Sequence, residues 1–144
     1  MLAIADLVAA LESASITRLL VVPSVLALVL DACPELGERA PALRLIATSG
    51  EPLPEVLARR CRAAVPRARL VNIYGSTEVA GDATYADVDG DVTIGRPLDG
   101  VTVRIVDERG AISELIVNGP VLAEGTGATG THRGAVRPRR LSHR

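Results

Sequence analysis

The chain of 144 residues contains no lysine, phenylalanine or tryptophan, and it has only two tyrosines. All sixteen basic residues are arginines, which excludes any mechanism in this chain that needs a lysine, either as a phosphate ligand or as a nucleophile. Without Phe or Trp, a hydrophobic core must be aliphatic. Because 48% of the residues are apolar, the chain as a whole is not expected to be disordered. Its length is sufficient for one ordinary domain with its own core.

The chain also lacks a long apolar run, a metal-binding cysteine spacing and a large net charge. The formal net charge is −1, so nothing global indicates a nucleic acid or a membrane as a partner. Cys33 and Cys61 have no CxxC spacing and are expected to be free, buried thiols of a reducing cytosol. The longest apolar run, Leu19–Leu30, is interrupted by Pro23 and is too short to span a bilayer. The first six residues lack the basic segment of a secretory signal, so we expect a cytoplasmic protein.

The first half of the chain alternates between helical and strand patterns. Helices are predicted at 3–14, at 25–32 with Ser24 as N-cap, and at 54–64 with Pro54 in the first turn, and strands at 17–22, 43–47 and 69–73, with a loop through 33–41. This alternation predicts right-handed crossovers and a parallel sheet. Ligands of such sheets gather at the carboxyl ends of the strands. Two polar, Gly-containing loops, Thr48–Pro52 and Tyr74–Glu78, are predicted at that edge.

The second half has shorter, antiparallel patterns. A turn at Asp87–Asp91 separates two short β-prone pieces, and strands are predicted at 101–106 and 115–117 around a turn at 107–110. The last twenty residues are rich in Gly, Thr and Arg, and they are expected to be disordered. The fold class is therefore α/β: an α/β part over 1–85, a β-rich part over 86–124 and a disordered tail over 125–144.

The arginines of the tail raise the question of a nucleic-acid arm. They could contact phosphates, and they are Arg133, Arg137, Arg139, Arg140 and Arg144. No aromatic residue or recognition motif accompanies them, which favours a solvated tail and no nucleic-acid partner.

The segment Asn72–Glu78 contains several groups that suit a nucleotide. Its tyrosine offers a flat face to a base, and its glycine allows the backbone to approach a ligand closely. Its Ser/Thr pair can donate hydrogen bonds to phosphate oxygens, and Glu78 can hold Mg²⁺. By itself, such a segment is more typical of an ordinary polar turn.

Five segments in order resemble adenylate-forming enzymes, above all the amino-acid adenylation domains of nonribosomal peptide synthetases. They are Ile16–Ser24, Leu43–Pro54, Asn72–Glu78, Ile94–Pro97 followed by Val106-Asp107, and Glu114–Gly125. Each segment alone is weakly specific, but all five together, over about residues 5 to 125, are strongly so.

The resemblance implies roles for individual residues. Tyr74 would stack on adenine, Thr77 would contact the α-phosphate, and Glu78 would be the Mg²⁺ ligand, with Thr77 and Glu78 as the catalytic pair. The cofactor-binding set would be Gly50, Glu51, Pro52, Asn72, Tyr74, Gly75, Ser76 and Thr77. The substrate pocket would lie near Leu20, Ala47, Ser49, Ile73, Gly81 and Asp82. Asp82 could favour a polar or cationic substrate group, although a solvated loop carboxylate is the favoured interpretation.

The reaction implied by the resemblance needs ATP and Mg²⁺. A small carboxylic acid or amino acid attacks the α-phosphate of Mg·ATP, which gives an acyl-adenylate and pyrophosphate. The phosphopantetheine thiol of a carrier protein then takes the acyl group. Catalysis would come from positioning and from stabilisation of charge on phosphate.

The sequence also departs from the family pattern. It has no phosphate loop with its lysine, no Asp to grip the substrate amino group, no Tyr-Arg-Thr-Gly-Asp segment and no catalytic lysine. Ser113 replaces the first Gly of a Gly-Glu-Leu motif, and Thr126 replaces a Tyr. We expect the fragment of a truncated or frame-shifted gene, which binds adenine nucleotide weakly at best and has no adenylation activity alone. The alternative is a non-catalytic interaction module, or half of a split enzyme that pairs through a sheet edge.

Overall fold

The structure, a computed structural model, describes residues 4–76, 81–107, 113–119 and 134–136. These residues fall into two compact units. The first unit takes its residues from Met1–Tyr74 and Tyr85–Arg96, and the second from Gly75–Thr84 and Pro97–Arg144.

The first unit has the alternating order that the sequence predicts. Its elements are α1 (Ile4–Ser13), β1 (Arg18–Val21), α2 (Pro23–Ala32), α3 (Leu36–Arg39), β2 (Leu45–Thr48), α4 (Glu55–Ala64) and β3 (Arg69–Ser76), the last two residues of which belong to the second unit. Strands β1, β2 and β3 are parallel neighbours, which confirms the predicted sheet. The register pairs Val21 with Thr48 and Thr48 with Asn72, so β1 and β2 end side by side against β3.

The core of the first unit is aliphatic, as predicted. Alternate strand residues, among them Ile46 and Leu70, face the helices, whose innermost side chains are fully or almost fully buried: Val8, Leu11, Leu26, Val29, Leu30, Leu36, Leu57 and Ala58. Cys33 and Cys61 are also buried in this core as free thiols, which confirms that prediction. Burial raises the pKa of the Cys61 thiol to about 11, because the charged thiolate is poorly solvated there.

Several element boundaries differ from the predictions. Helix α2 begins at Pro23, so the N-cap residue is Val22, which provides no side-chain cap; Ser24 is not the N-cap. The reason is that proline has the fixed φ of a first helical residue and takes that position itself. Pro54 is the N-cap of α4 and not part of its first turn. The short helix α3 lies within the predicted loop, since four residues carry too little periodicity to be recognised.

Strand β3 extends three residues beyond its predicted end, through Ser76. It is followed in the sheet by β4 (Gly81–Asp87) and β5 (Arg96–Pro97), which gives the order β1-β2-β3-β4-β5. Within the first unit, the backbone N–H of Val88 donates to the carbonyl of Leu70 at 2.9 Å. Arg69 and Asp87 form an ion pair at 2.6 Å, and this carboxylate raises the pKa of the Arg69 guanidinium.

The end of β4 and the start of β5 are joined by one side-chain pair in the first unit. The Nε–H of Arg96 donates to the Tyr85 hydroxyl at 2.8 Å. The guanidinium carbon of Arg96 also lies 4.9 Å from the centroid of the Tyr85 ring, which is cation–π geometry.

The second unit contains a three-stranded antiparallel sheet, β6 (Thr102–Asp107), β7 (Ser113–Asn118) and β8 (Gly134–Val136). The register of β6 and β7 runs from Thr102 opposite Asn118 to Asp107 opposite Ser113, which confirms the predicted antiparallel pair with slightly longer strands. Strand β8 pairs with β7 and lies within the stretch that we expected to be disordered. The other residues of 125–144 lie outside the described residues.

The longest helices in the described ranges, α1, α2 and α4, have ten residues each. None of the helices described is long and apolar enough to cross a membrane.

Candidate functional site

The first turn of α2, which follows β1, and the turn after β2 are joined by two hydrogen bonds. The backbone N–H of Ser24 donates to Oε2 of Glu51 at 2.9 Å, and the Ser24 hydroxyl donates to Oε1 of the same carboxylate at 2.9 Å. We call this pair the Ser24–Glu51 clasp. It brings together residues 27 positions apart, because the parallel strands β1 and β2 end at the same edge.

The predicted Gly-Glu-Pro segment forms the turn after β2. Gly50 has a φ of +84°, a left-handed conformation that glycine adopts without steric strain. A Cβ added at Gly50 would lie 3.5 Å from Cγ1 of Val22, so the turn after β1 lies directly beside it. Glu51 and Pro52 are both exposed in this turn. The predicted loop at this strand end is therefore confirmed in position.

Buried polar groups connect β2 and β3 beneath this edge. Asn72 is 7% exposed, and its amide nitrogen donates to the backbone carbonyl of Thr93 at 2.8 Å. The fully buried Thr48 hydroxyl is 3.4 Å from the carbonyl of Val71 and 3.5 Å from Oδ1 of Asn72, which are long hydrogen bonds. The Asn72 side chain thus binds the backbone of Thr93 within the protein, a structural role that the sequence did not predict.

The end of β3 contains the predicted aromatic and hydroxyl groups. Tyr74 is half-buried, and Gly75 and Ser76 continue the strand where a loop was predicted. In the second unit, a Cβ on Gly75 would overlap the carbonyl oxygen of Gly81, so the two backbones approach closely. The Ser76 hydroxyl is buried and has no hydrogen-bond partner among the described residues. Thr77 and Glu78 lie outside the described residues.

The predicted substrate-pocket residues fall into two groups. The register places Leu20 opposite Ala47 and Ala47 opposite Val71, so these three residues share the sheet face opposite to Ile46. Leu20 is 66% exposed there, whereas Ala47 is 8% exposed. Ser49, directly after β2, and Ile73, within β3, are both half-buried. In the second unit, Gly81 and Asp82 begin β4, so Asp82 lies on a strand and is not the loop carboxylate that we expected.

Sequence reasoning missed the internal polar partners at this edge. Ser24 was predicted as a local cap and as the end of the first resembling segment, and Thr48 only as the start of a polar loop. Thr93 was not selected. A Ser directly after a Pro at a strand end, with a Gly-Glu turn after the next strand, is the signal that could have found the clasp. Among the described residues there is no group of three or more His, Cys, Asp or Glu side chains that could hold a metal ion. Glu78, the predicted Mg²⁺ ligand, lies outside them.

The fold is that of α/β proteins with a parallel sheet, a class that binds ligands at the carboxyl ends of its strands. The profile of a family described as AMP-binding enzyme matches residues 2–127. The chain belongs to the AMP-binding enzyme family, as the five segments predicted.

Relatives with known names agree with this assignment. The chain is 36% identical over 133 residues to glycine betaine reductase ATRR of Emericella nidulans, a match that covers 84% of this chain and 10% of that protein. It is 30% identical over 133 residues to tyrocidine synthase 2 of Brevibacillus parabrevis, with 86% of this chain and 4% of that protein covered. This chain therefore spans a tenth or less of the length of either relative.

A solved structure supports the fold independently. The nonribosomal peptide synthetase FmoA3 in its AMPPNP-bound form superimposes with a TM-score of 0.75 and 25% sequence identity, over 87% of this chain and 15% of that chain. The resemblance to adenylation domains of nonribosomal peptide synthetases is thus confirmed, and a non-catalytic interaction module is not favoured.

Proposed function

We propose that this chain forms part of the adenine-nucleotide site of an adenylate-forming ligase that activates a small carboxylic acid or an amino acid. The observation that carries the proposal is the edge where β1 and β2 end side by side and where Gly50 has a positive φ. The carboxyl edge of a parallel sheet is where α/β folds bind ligands. Family membership and the AMPPNP-bound neighbour support adenine nucleotides as those ligands.

Two residues of the first unit suit an adenine base. Gly50, with no Cβ, lets the backbone of the Gly50–Pro52 turn approach a flat base closely. Tyr74 offers an aromatic ring for stacking. In the second unit, taken by itself, the buried Ser76 hydroxyl has no partner among the described residues and is a suitable donor to a phosphate oxygen, as the sequence predicts. Thr77 at the α-phosphate and Glu78 on Mg²⁺ complete the assignment as the sequence predicts them.

In the proposed reaction, ATP supplies an activated α-phosphate. A substrate carboxylate oxygen forms a bond to that phosphorus while the bond to the β-phosphate oxygen breaks, so pyrophosphate leaves and an acyl-adenylate remains. The contribution of this chain is to hold and orient adenine and to donate hydrogen bonds to phosphate oxygens. A carrier-protein thiol then takes the acyl group and releases AMP.

The proposed substrate pocket consists of the residues predicted from the sequence, which are Leu20, Ala47, Ser49, Ile73, Gly81 and Asp82. Residues 1–144 contain no lysine, so any step that needs one depends on residues outside this sequence. We propose a separately encoded complementing half as one source of that lysine. Such a partner should co-purify with the chain and restore activity.

Binding of AMP to the purified chain tests the proposal. Tyr74→Ala should weaken binding about tenfold, because stacking of a base on an aromatic ring contributes roughly 1–3 kcal/mol, whereas Tyr74→Phe should keep most of the affinity. Tyr85→Ala is the matched control, since Tyr85 is the other tyrosine and interacts with Arg96. Isothermal titration calorimetry measures all four proteins. No binding to the wild-type chain, or equal losses in both alanine variants, would contradict the proposal.

Exchange of labelled pyrophosphate into ATP tests the catalytic limit. We expect no substrate-dependent exchange by the chain alone, because it has no lysine to stabilise the transferring phosphate. Exchange by the purified chain across a panel of amino acids would overturn this expectation.

A further inference from the structure

The N-terminus of α2 is capped by a residue from a different turn. Val22, the N-cap residue, provides no side-chain hydrogen bond. The first N–H groups of a helix have no partner within the helix and lie at the positive end of its dipole. Here the N–H of Ser24 donates to the carboxylate of Glu51, which comes from the turn after β2.

The geometry fixes the orientation of the Glu51 side chain. Each carboxylate oxygen accepts one hydrogen bond, Oε2 from the Ser24 N–H and Oε1 from the Ser24 hydroxyl, both at 2.9 Å. Hydrogen bonds to an ionised acceptor are stronger than those between neutral groups, and two of them to one carboxylate restrict its rotation. The backbone at Glu51 is therefore held relative to the start of α2.

Two further contacts reinforce this connection in the first unit. Val22 lies beside Gly50, the positive-φ residue that precedes Glu51. Helices α2 and α4, which begin at these two turns, are linked by an ion pair of 2.6 Å between Asp31 and Arg60. The helices at whose starts the two turns lie are thus joined by a direct ion pair.

We propose that Glu51 is a positioning residue: through the Ser24–Glu51 clasp it holds the Gly50–Pro52 backbone in the conformation that receives adenine, and it couples the order of this turn to that of the first turn of α2. The nucleotide part of this inference rests on the proposed function. The coupling of the two turns does not, because it concerns the chain without ligand.

A purely structural role makes a different prediction. Ser24 and Glu51 are exposed, and exposed charged contacts contribute little to global stability. Loss of the clasp should therefore leave the urea midpoint nearly unchanged while it loosens both turns and weakens AMP binding. If the clasp were only structural, AMP affinity would change in step with stability or not at all.

The experiment compares Ser24→Ala, Glu51→Gln and the double variant with Ser24→Thr, which keeps both donors. The matched control is Glu55→Gln, which removes an exposed carboxylate that pairs with Arg59 four residues further along the same helix. Hydrogen exchange of the backbone amides in residues 22–25 and 49–53 is measured without ligand. AMP affinity and urea unfolding are measured on the same proteins.

We expect each single variant to speed exchange in both segments and to weaken AMP binding about tenfold, the scale of one charge-assisted hydrogen bond. The double variant should be no worse than either single one, and Ser24→Thr and Glu55→Gln should match the wild type. Faster exchange only in the segment that contains the substitution, or unchanged AMP affinity, would overturn the inference. A wild-type chain that does not bind AMP, but whose variants loosen both segments, would refute the proposed function and leave the coupling established.

Discussion

The turn after β2 and the contact between Gly75 of β3 and Gly81 of β4 are stabilised in opposite ways. At Glu51, a carboxylate reaches another turn and accepts two hydrogen bonds from Ser24. At Gly75, the backbone lies so close to Gly81 that a side chain of any size would overlap it. The first arrangement depends on a side chain that is present, and the second on one that is absent.

This difference determines how each region should respond to substitution. A lost surface hydrogen bond can be replaced by water, so the turn after β2 should tolerate changes with small losses in stability. A methyl group cannot avoid a backbone oxygen by changing rotamer. The pair of β3 and β4 should therefore not tolerate even alanine at Gly75. Three substitutions test this contrast, in order of decreasing effect, and a fourth, with the smallest effect, tests a buried thiol in the core of the first unit.

Gly75→Ala should be the most damaging change. Its Cβ would overlap the carbonyl oxygen of Gly81, so β3 and β4 must move apart, and we expect a loss of about 3 kcal/mol in the free energy of unfolding. Gly90→Ala is the matched control, because a Cβ there would meet nothing within 4 Å. Urea unfolding followed by circular dichroism measures both. A Gly75→Ala protein as stable as Gly90→Ala would show that the close approach is not essential.

Asn72→Ala should follow, with a loss of about 2 kcal/mol. It removes the hydrogen bond to the Thr93 carbonyl and deprives the buried Thr48 hydroxyl of an acceptor. Asn118→Ala, at the exposed end of β7, is the control for loss of the same side chain outside a buried network. The same urea titrations apply. Equal urea midpoints for the two variants would mean that the buried Asn72 side chain does not stabilise the protein more than an exposed asparagine does.

Gly50→Ala should be milder, at about 1 kcal/mol. The cost is conformational, because φ of +84° is unfavourable for alanine, while the nearest atom to the new Cβ, on Val22, is at an ordinary contact distance of 3.5 Å. Gly50→Asn should cost less, since asparagine enters this region more readily than alanine. Thermal unfolding of the three proteins distinguishes strain from steric overlap. An asparagine variant less stable than the alanine one would indicate overlap.

The smallest effect concerns pH and reports on the first unit. The Cys61 thiol has a pKa of about 11 in the folded protein, above its ordinary value, so its contribution is fully present below the unfolded pKa and is lost as pH rises through the folded one. The stability advantage of the wild type over Cys61→Ala should therefore shrink, by about 1 kcal/mol between roughly pH 8 and pH 9.5. Urea titrations at both pH values measure this difference. A constant gap would mean that Cys61 titrates normally.

Much of the first unit could be predicted from the sequence because its signals are local. The alternation of helical and strand periods determines the parallel order of β1, β2 and β3, and the absence of Phe and Trp requires an aliphatic core. The Ser24–Glu51 clasp could not be predicted in this way. Ser24 after Pro23 is a sound local cap signal, and only the register of β1 and β2 brings a carboxylate 27 residues away within reach.

The end of β3 shows the same limitation. Gly75 and Ser76 are typical turn residues, so a loop was predicted where the strand continues. In the strand, Gly75 lies against the backbone of Gly81, a neighbour across the sheet that no local pattern identifies. The three residues of β8 likewise pair with β7, a partner distant in the sequence.

The pairing of Tyr85 with Arg96 has an optical consequence. The chain has no tryptophan, so its near-ultraviolet absorption and emission come from Tyr74 and Tyr85 alone. The Tyr85 hydroxyl accepts a hydrogen bond from Arg96, whose guanidinium also covers the ring, so this phenol is in a different electronic environment from a free one. Replacement of Tyr85 by phenylalanine leaves Tyr74 as the sole tyrosine emitter. The protein then carries a built-in fluorophore, without any added label, at the residue proposed to stack on adenine.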